Sequence, residues 1–287
     1  MDDHYDRNIH FFGKKGQEIL KSVSVAIVGI GGLGTLVVQQ LSFLGVGGLI
    51  LIDNEEMERT NLNRYVGARY DDPIPGTRKV DLGERIANSI DPSIRIKKVF
   101  ETLLSDRSVE EIAKADYVFG CVDNDSTRFI LNELCSAYCL PYFDLASDIN
   151  QGPPLSYGGR VTVAWDGKGC LYCLDVLDMN EVQRELDNPD IIRERDAIYG
   201  VKRSLLAKTG PSIVSINGVV ASLAVTEFVV SVTGIRKPRR NITYYGHLGK
   251  ATDSTDEPHA DCYYCNSIRG SGDKADINRY INSSTGV

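Results

Sequence analysis

Four groups of residues have the types and spacing to do chemistry. Gly29-Ile30-Gly31-Gly32-Leu33-Gly34 follows the apolar run VSVAIV and opens a helical pattern. Glycines there let phosphate oxygens approach backbone N–H groups at a helix N-terminus. Nineteen residues beyond Gly34, Asp53 closes the run GLILID, where a carboxylate suits a ribose hydroxyl. NAD and ATP both carry ribose, and a ligand-free strand–turn–helix has the same pattern, so the loop alone leaves the nucleotide open. Arg64 and Lys79 come next, Lys79 at the start of a helical pattern. Together they supply the positive charge that a triphosphate needs, although either alone reads as an ordinary surface cation. Asp123 ends the run DYVFGCVD, where a carboxylate points into a ligand crevice and can hold Mg²⁺ against phosphate oxygens. A helix N-cap is the competing role, but Asp125 or Ser126 suits that cap and leaves Asp123 free. Finally, Cys170-x-x-Cys173 and Cys262-x-x-Cys265 make a closed Cys₄ set of the structural zinc type, stapling two distant parts of the chain. Four buried thiols are the alternative. A redox pair is disfavoured because neither follows a strand in a thioredoxin-like setting.

The elements that must position these groups alternate. VAIVGI and LILID read as buried parallel strands flanking a helix over 33–44. A helix over 78–89 stops at Asp91-Pro92, IRIKKVFE is a strand, and a helix over 105–114 precedes the YVFGCVD strand. A helix over 126–138 leads to the strand PYFDL. This alternation predicts an α/β fold with a doubly wound, mostly parallel Rossmann-like sheet. GRVTVAW and NITYYGHLGK are expected as antiparallel C-terminal strands on the same sheet. The apolar stretch 212–232 reads as a buried helix rather than a membrane span, because it carries Asn217, Glu227 and several serines. The charged segment 175–208 reads equally as a solvated helical pair or as a segment crossing a substrate groove. Residues 1–270 are expected to form a single domain and 271–287 a flexible C-terminal tail.

Composition bounds the partners. The 287 residues carry a net charge of −7 and a sequence pI near 5.2, which argues against a nucleic-acid surface and an anionic membrane. The polar opening MDDHYDRN is not a secretory signal, and seven cysteines without one point to a reducing, cytoplasmic setting.

Taken together the motifs resemble the ubiquitin-activating-type adenylyltransferases, the ThiF/MoeB/HesA family. YDRNIHFFGKKGQEILKSVSVAIVGIGGLG is similar to the family's opening, LIDNEEMERTNLNR to its nucleotide segment, GTRK to its lysine turn and CVDN to its magnesium-aspartate strand end. The two C-x-x-C pairs are similar to its zinc site. The resemblance implies that Gly31, Gly32, Asp53, Asn61, Arg64, Lys79, Asp123 and Asn124 line an ATP site, with Gly29, Gly34 and Glu55 beside them. It implies that Arg7 reaches the triphosphate of a second subunit in a homodimer, with the apolar helix near 213–232 part of the interface. It implies adenylation of the C-terminal carboxylate of a ubiquitin-like or sulfur-carrier protein ending in Gly-Gly, with ATP, Mg²⁺ and Zn²⁺ as cofactors. The sequence departs from the family at Tyr65, Glu55 and Thr60, and no cysteine lies between Cys173 and Cys262 to form a thioester. Cys121 falls in a strand, and Cys135 and Cys139 are expected to pack. The expected product is therefore the acyl-adenylate, passed to a sulfur donor or a cysteine-bearing conjugating protein. Adenylation of a short ribosomal peptide is the alternative. An NAD-dependent oxidoreductase would leave Arg64, Lys79 and the cysteine pairs without a role.

Overall fold

The computed structural model describes residues 3–186, 210–254, 258–277 and 279–280. Five short runs rich in Val, Ile and Leu form parallel strands: β1 (Ser24–Val28), β2 (Gly48–Ile52), β3 (Arg95–Val99), β4 (Tyr117–Gly120) and β5 (Tyr142–Asn150). β6 (Ser156–Ala164), β7 (Asn241–Tyr245) and β8 (Lys250–Asp253) add to the β5 edge, each antiparallel to the strand before it. The order is β3-β2-β1-β4-β5-β6-β7-β8. The chain leaves β1 in one direction and returns to β4 on its other side, so a crevice opens at the carboxyl ends of β1 and β4.

Alternation along the strands makes two cores. Val25 and Ile27 of β1, Leu49 and Leu51 of β2, and Phe119 of β4 face one side. There they meet α2 (Gly32–Leu44), α3 (Lys79–Ile90) and α7 (Val214–Thr233). Ala26, Val28, Ile50, Ile52 and Val118 face the other side, against α4 (Asp106–Ala113) and α5 (Asp125–Ala137). α1 (Asp6–Ser22) breaks at Gly13 and packs on α7 and α2.

The expected fold is found, with local differences. β5 continues past PYFDL through Ser147–Asn150, because β6 pairs with it along nine residues and satisfies the polar extension. NITYYGHLGK is the hairpin β7–β8 with a turn at Gly246–Leu248, not one strand. α7 is long and apolar enough to cross a membrane by length and composition. Here it lies on β5, β6 and α2 as a core helix. Its one carboxylate, Glu227, is buried and doubly held by Arg236 at 2.6 Å, with the Arg239 N–H donating at 2.7 Å. Pairing of this kind offsets the cost of burying charge.

Residues after 270 were expected to fray. Instead Ala275 and Ile277 are buried, Tyr138 donates to Asp273, and Arg279 and Tyr280 both donate to Glu133, a fully buried carboxylate of α5. Residues 281–287 lie outside the described residues. Of the charged segment, α6 (Met179–Leu186) packs on α5, and residues 187–208 lie outside the described residues.

Candidate active site

β1 runs into a loop shaped by absent side chains. Gly29 has φ +88, a value that favours glycine, and a Cβ there would lie 2.7 Å from the Cys121 carbonyl oxygen beyond β4. A Cβ on Gly34 would lie 2.0 Å from the Gly29 carbonyl oxygen, so α2 packs directly on the turn before it. Asp53 then ties the loop to the end of β2. Its Oδ2 accepts from the Ile30 N–H at 2.7 Å and its Oδ1 from the Glu55 N–H at 2.9 Å. Burial pushes its pKa above the ordinary carboxylate value, against Lys79 and these two N–H groups.

The segment after β2 carries the cationic wall. Lys79, 8% exposed, ion-pairs with Glu55. Burial alone would push its pKa down, but Asp53, Tyr65 and Glu55 outweigh that and hold the ammonium charged, above the ordinary lysine range. Arg64 stacks beside Tyr65, its guanidinium 5.4 Å from the ring centre. Asn61 does something else: its Oδ1 accepts from the Glu58 N–H at 2.8 Å, closing a reciprocal cap around the turn Arg59–Asn61. It positions the segment and does not line the cavity.

Across the crevice, α5 is capped by Asn124, not by Asp125 or Ser126. Asn124 Oδ1 accepts from the Thr127 N–H at 2.8 Å. Asp125 instead accepts from the Asp178 N–H, and Ser126 donates its N–H to Glu185 on α6. Asp123 is left exposed to the cavity, with no hydrogen bond among the described residues. Its backbone is fixed by Arg128, which donates to the Val122 carbonyl and to the fully buried Asp144 at 3.1 Å. Arg160 and Tyr142 also donate to Asp144. Burial would raise the Asp144 pKa, but Arg128, Arg160 and Tyr142 hold it below the ordinary carboxylate range.

These walls enclose a cavity of about 660 Å³, within the range of about 300–1,000 Å³ usual for small-molecule sites. It brings together Gly29, Gly31, Gly32, Asp53, Glu55, Arg64, Lys79, Asp123 and Asn124. Gly34 lies behind the loop, and Arg7 is exposed on α1, outside the cavity. Residues at the N-terminal ends of three helices, α2, α5 and α7, line this space, a disposition that favours anions. Sequence reasoning missed Arg128, Ser147 and Asn217 as lining residues. The departure at Tyr65 was a visible signal, since Tyr65 also lines the cavity. Ser147 and Asn217 gave none, because only the pairing of distant elements brings them there.

The four paired cysteines meet as expected. Cys170, Cys173, Cys262 and Cys265 are all buried, with every Sγ within 4.8 Å of the others and neighbours at 3.6–3.7 Å. A tetrahedral zinc with Zn–S bonds of about 2.3 Å requires sulfurs about 3.8 Å apart, so this donor set fits zinc without rearrangement. The other cysteines differ from one another. Burial holds the Cys121 and Cys135 thiols above their ordinary pKa. Cys139, expected to pack, is exposed just past the end of α5.

The sequence model of the ThiF family matches residues 5–265. The SAMP-activating enzyme E1 of Haloferax volcanii is 31% identical over 174 residues, covering 60% of this chain and 61% of that protein. The molybdopterin-synthase adenylyltransferase of Escherichia coli K12 is 35% identical over 178 residues, covering 60% of this chain and 68% of that one. The chain thus aligns with about two thirds or less of the length of these relatives. Among solved structures, E. coli MccB with MccA-N7isoASN superposes with a TM-score of 0.70 at 22% identity, covering 92% of this chain and 75% of that one. That likeness is one of fold.

Proposed function

The chain belongs to the ThiF family, and from that membership we propose that it is an adenylyltransferase activating the C-terminal carboxylate of a ubiquitin-like or sulfur-carrier protein. The observation that carries this reading is the cavity itself. One space holds an uncommitted carboxylate, Asp123, opposite two cations, Arg64 and Lys79, across a side-chain-free glycine floor. A dehydrogenase has no use for that arrangement, whereas a triphosphate reacting at its α-phosphorus needs all three.

The reaction is a displacement. A carboxylate oxygen of the partner's tail bonds to the α-phosphorus of ATP, the bond to the bridging oxygen breaks, and pyrophosphate leaves with its electron pair. The nucleophile is already ionised at neutral pH, so no general base is needed. The chain supplies position and charge. Arg64 and Lys79 stabilise the departing pyrophosphate, Asp53 binds ribose, and Gly31 lets the reacting groups approach the backbone. Glu55 keeps Lys79 in place. Asp123 fits a magnesium ion, a hard cation with oxygen ligands, which when bound neutralises phosphate charge. The Cys₄ cluster fits a structural zinc that joins residues 170–173 to 262–265.

The acyl-adenylate is the end product on this chain. Cys121 lines the cavity, but burial raises its thiol pKa and disfavours the thiolate; Cys139 lies outside the cavity. A separate sulfur donor or cysteine-bearing protein accepts the acyl group. The working form is a homodimer in which Arg7 reaches the partner subunit's triphosphate. In support, Phe11 on the same helix and Phe43 at the end of α2 are 69% and 56% exposed. The domain takes in residues up to Tyr280, whose side chain donates to Glu133, and the setting is cytoplasmic.

ATP–pyrophosphate exchange with candidate carboxylate partners tests the proposal. Exchange should appear with a Gly-Gly-ending small protein and vanish in Asp123→Ala. Exchange only with short peptides would move the substrate to the peptide class; tight NAD binding without exchange would overturn the reading. Mixing Arg7→Ala with Asp123→Ala subunits should restore some activity if Arg7 acts across the dimer.

A further inference from the structure

Asn217 is a buried polar side chain that the reaction above does not use. It sits in the first turn of α7, is 2% exposed, and lines the cavity. Its amide is oriented by two serines. Ser147 on β5 donates to its Oδ1 at 2.8 Å, and its Nδ2 donates one hydrogen to Ser212 Oγ at 3.2 Å. The second Nδ2 hydrogen has no partner among the described residues. The nitrogen lies 2.5 Å from where a Cβ on Gly32 would be, so this donor stands directly over the first residue of α2. That helix has no side-chain cap, and the N–H groups of its first turn have no intrahelical acceptors. A neutral donor therefore stands beside a set of backbone donors at the lining of the cavity.

Resting on the adenylation reading, we propose that Asn217 binds a nonbridging α-phosphoryl oxygen of the nucleotide and holds it against the N-terminus of α2. The chemistry of the donor suits that group. Arg64 and Lys79 match phosphates that depart as pyrophosphate. The α-phosphate stays through the reaction, in substrate and in acyl-adenylate alike, and is asked to accept a carboxylate. An amide donor orients it without adding a fixed cation that would pair with the incoming carboxylate instead. Gly32 is then glycine because Asn217 occupies the place of its side chain.

The test compares AMP with adenosine, which share everything but the phosphate, by calorimetric titration of the full chain. In Asn217→Ala, AMP should bind about tenfold more weakly, equivalent to about 1.4 kcal/mol. Adenosine should bind as to the wild type. Asn217→Asp, of the same shape but charged, should weaken AMP further and again spare adenosine. If Asn217→Ala fails to fold, Asn217→Ser carries the same comparison. Equal losses for AMP and adenosine would show a merely structural role, and no loss for either would remove the contact; both results overturn the proposal. A higher KM for the carboxylate partner with AMP affinity unchanged would also overturn it. Wild-type chain that binds neither AMP nor ATP refutes the adenylation reading itself, and this inference with it.

Discussion

Gly31 and Gly34 lie three residues apart in one loop, and the structure gives them opposite reasons for lacking a side chain. At Gly34 a Cβ would stand 2.0 Å from the Gly29 carbonyl oxygen, so that gap must open by about 1 Å before it reaches the closest spacing real side chains tolerate. Helix propensity favours alanine over glycine by about 1 kcal/mol. The overlap outweighs this, because the obstacle is backbone and α2 is wedged between α3 and α7. Overpacking of this kind costs about 1–3 kcal/mol net, so Gly34→Ala should melt roughly 2–5 °C below wild type. At Gly31 a Cβ would lie 3.5 Å from the Tyr65 hydroxyl, an ordinary contact. Gly31→Ala should therefore hold its stability to within about 1 kcal/mol. The new methyl would project into the cavity, and ATP affinity should fall about tenfold or more. Thermal unfolding and ATP titration of the two variants separate the effects. Gly31→Ala binding ATP like wild type, or Gly34→Ala melting with wild type, would refute the reasoning.

Metal analysis should find about one zinc per chain, absent from Cys262→Ser. At a free-zinc concentration about a thousand times Kd, the ion adds about 4 kcal/mol of stability, and a metal-free, fully stable protein would rule it out. Arg128→Ala strips the buried Asp144 of a partner and should cost about 3–5 kcal/mol in urea unfolding. Adding Asp144→Asn should recover part of that, and no recovery would mean the two residues are not coupled. Because the folded Asp144 pKa is depressed, its contribution is present above the unfolded carboxylate value of about 3.9 and is lost as pH falls through the lower folded value. Asp144→Asn should flatten the decline of the urea midpoint in that acid range; an unchanged decline would assign it to other groups.

What was legible in the sequence depended on how far each feature reaches along the chain. The parallel strands, the glycine turn and the first two thirds of the helices follow from local patterns, which is why β1, α2, β2 and α5 lie where expected. The Cys₄ cluster was legible despite spanning more than ninety residues, because a repeated C-x-x-C is rare without a metal to explain it. Asn61 and Asn124 show the limit. Both were expected against the nucleotide; Asn61 closes a turn away from the cavity, whereas Asn124 lines it and also caps α5, roles indistinguishable by type and neighbourhood from ligand contacts. Asn217 was hidden differently. It is 185 positions from Gly32, and its relation to the loop exists only once α7 lies on α2. Glu133 concealed the packing of residues 271–280 in the same way, since nothing near it in sequence announces Arg279.

The three helix N-termini at the lining of the cavity have a kinetic side. The attraction of a helix end fades within about a turn, and Lys79 already faces Glu55 and Asp53. Beyond a screening length of about 8 Å, the local cations and the net charge of −7 are both largely screened, and what remains of the field is not attractive to an anion. On the adenylation reading, capture is therefore expected to be a contact event rather than a guided one. Nucleotide should associate at an unsteered rate, and added salt should leave that rate unchanged or raise it slightly, the reverse of the behaviour of a site fed by a long-range positive field.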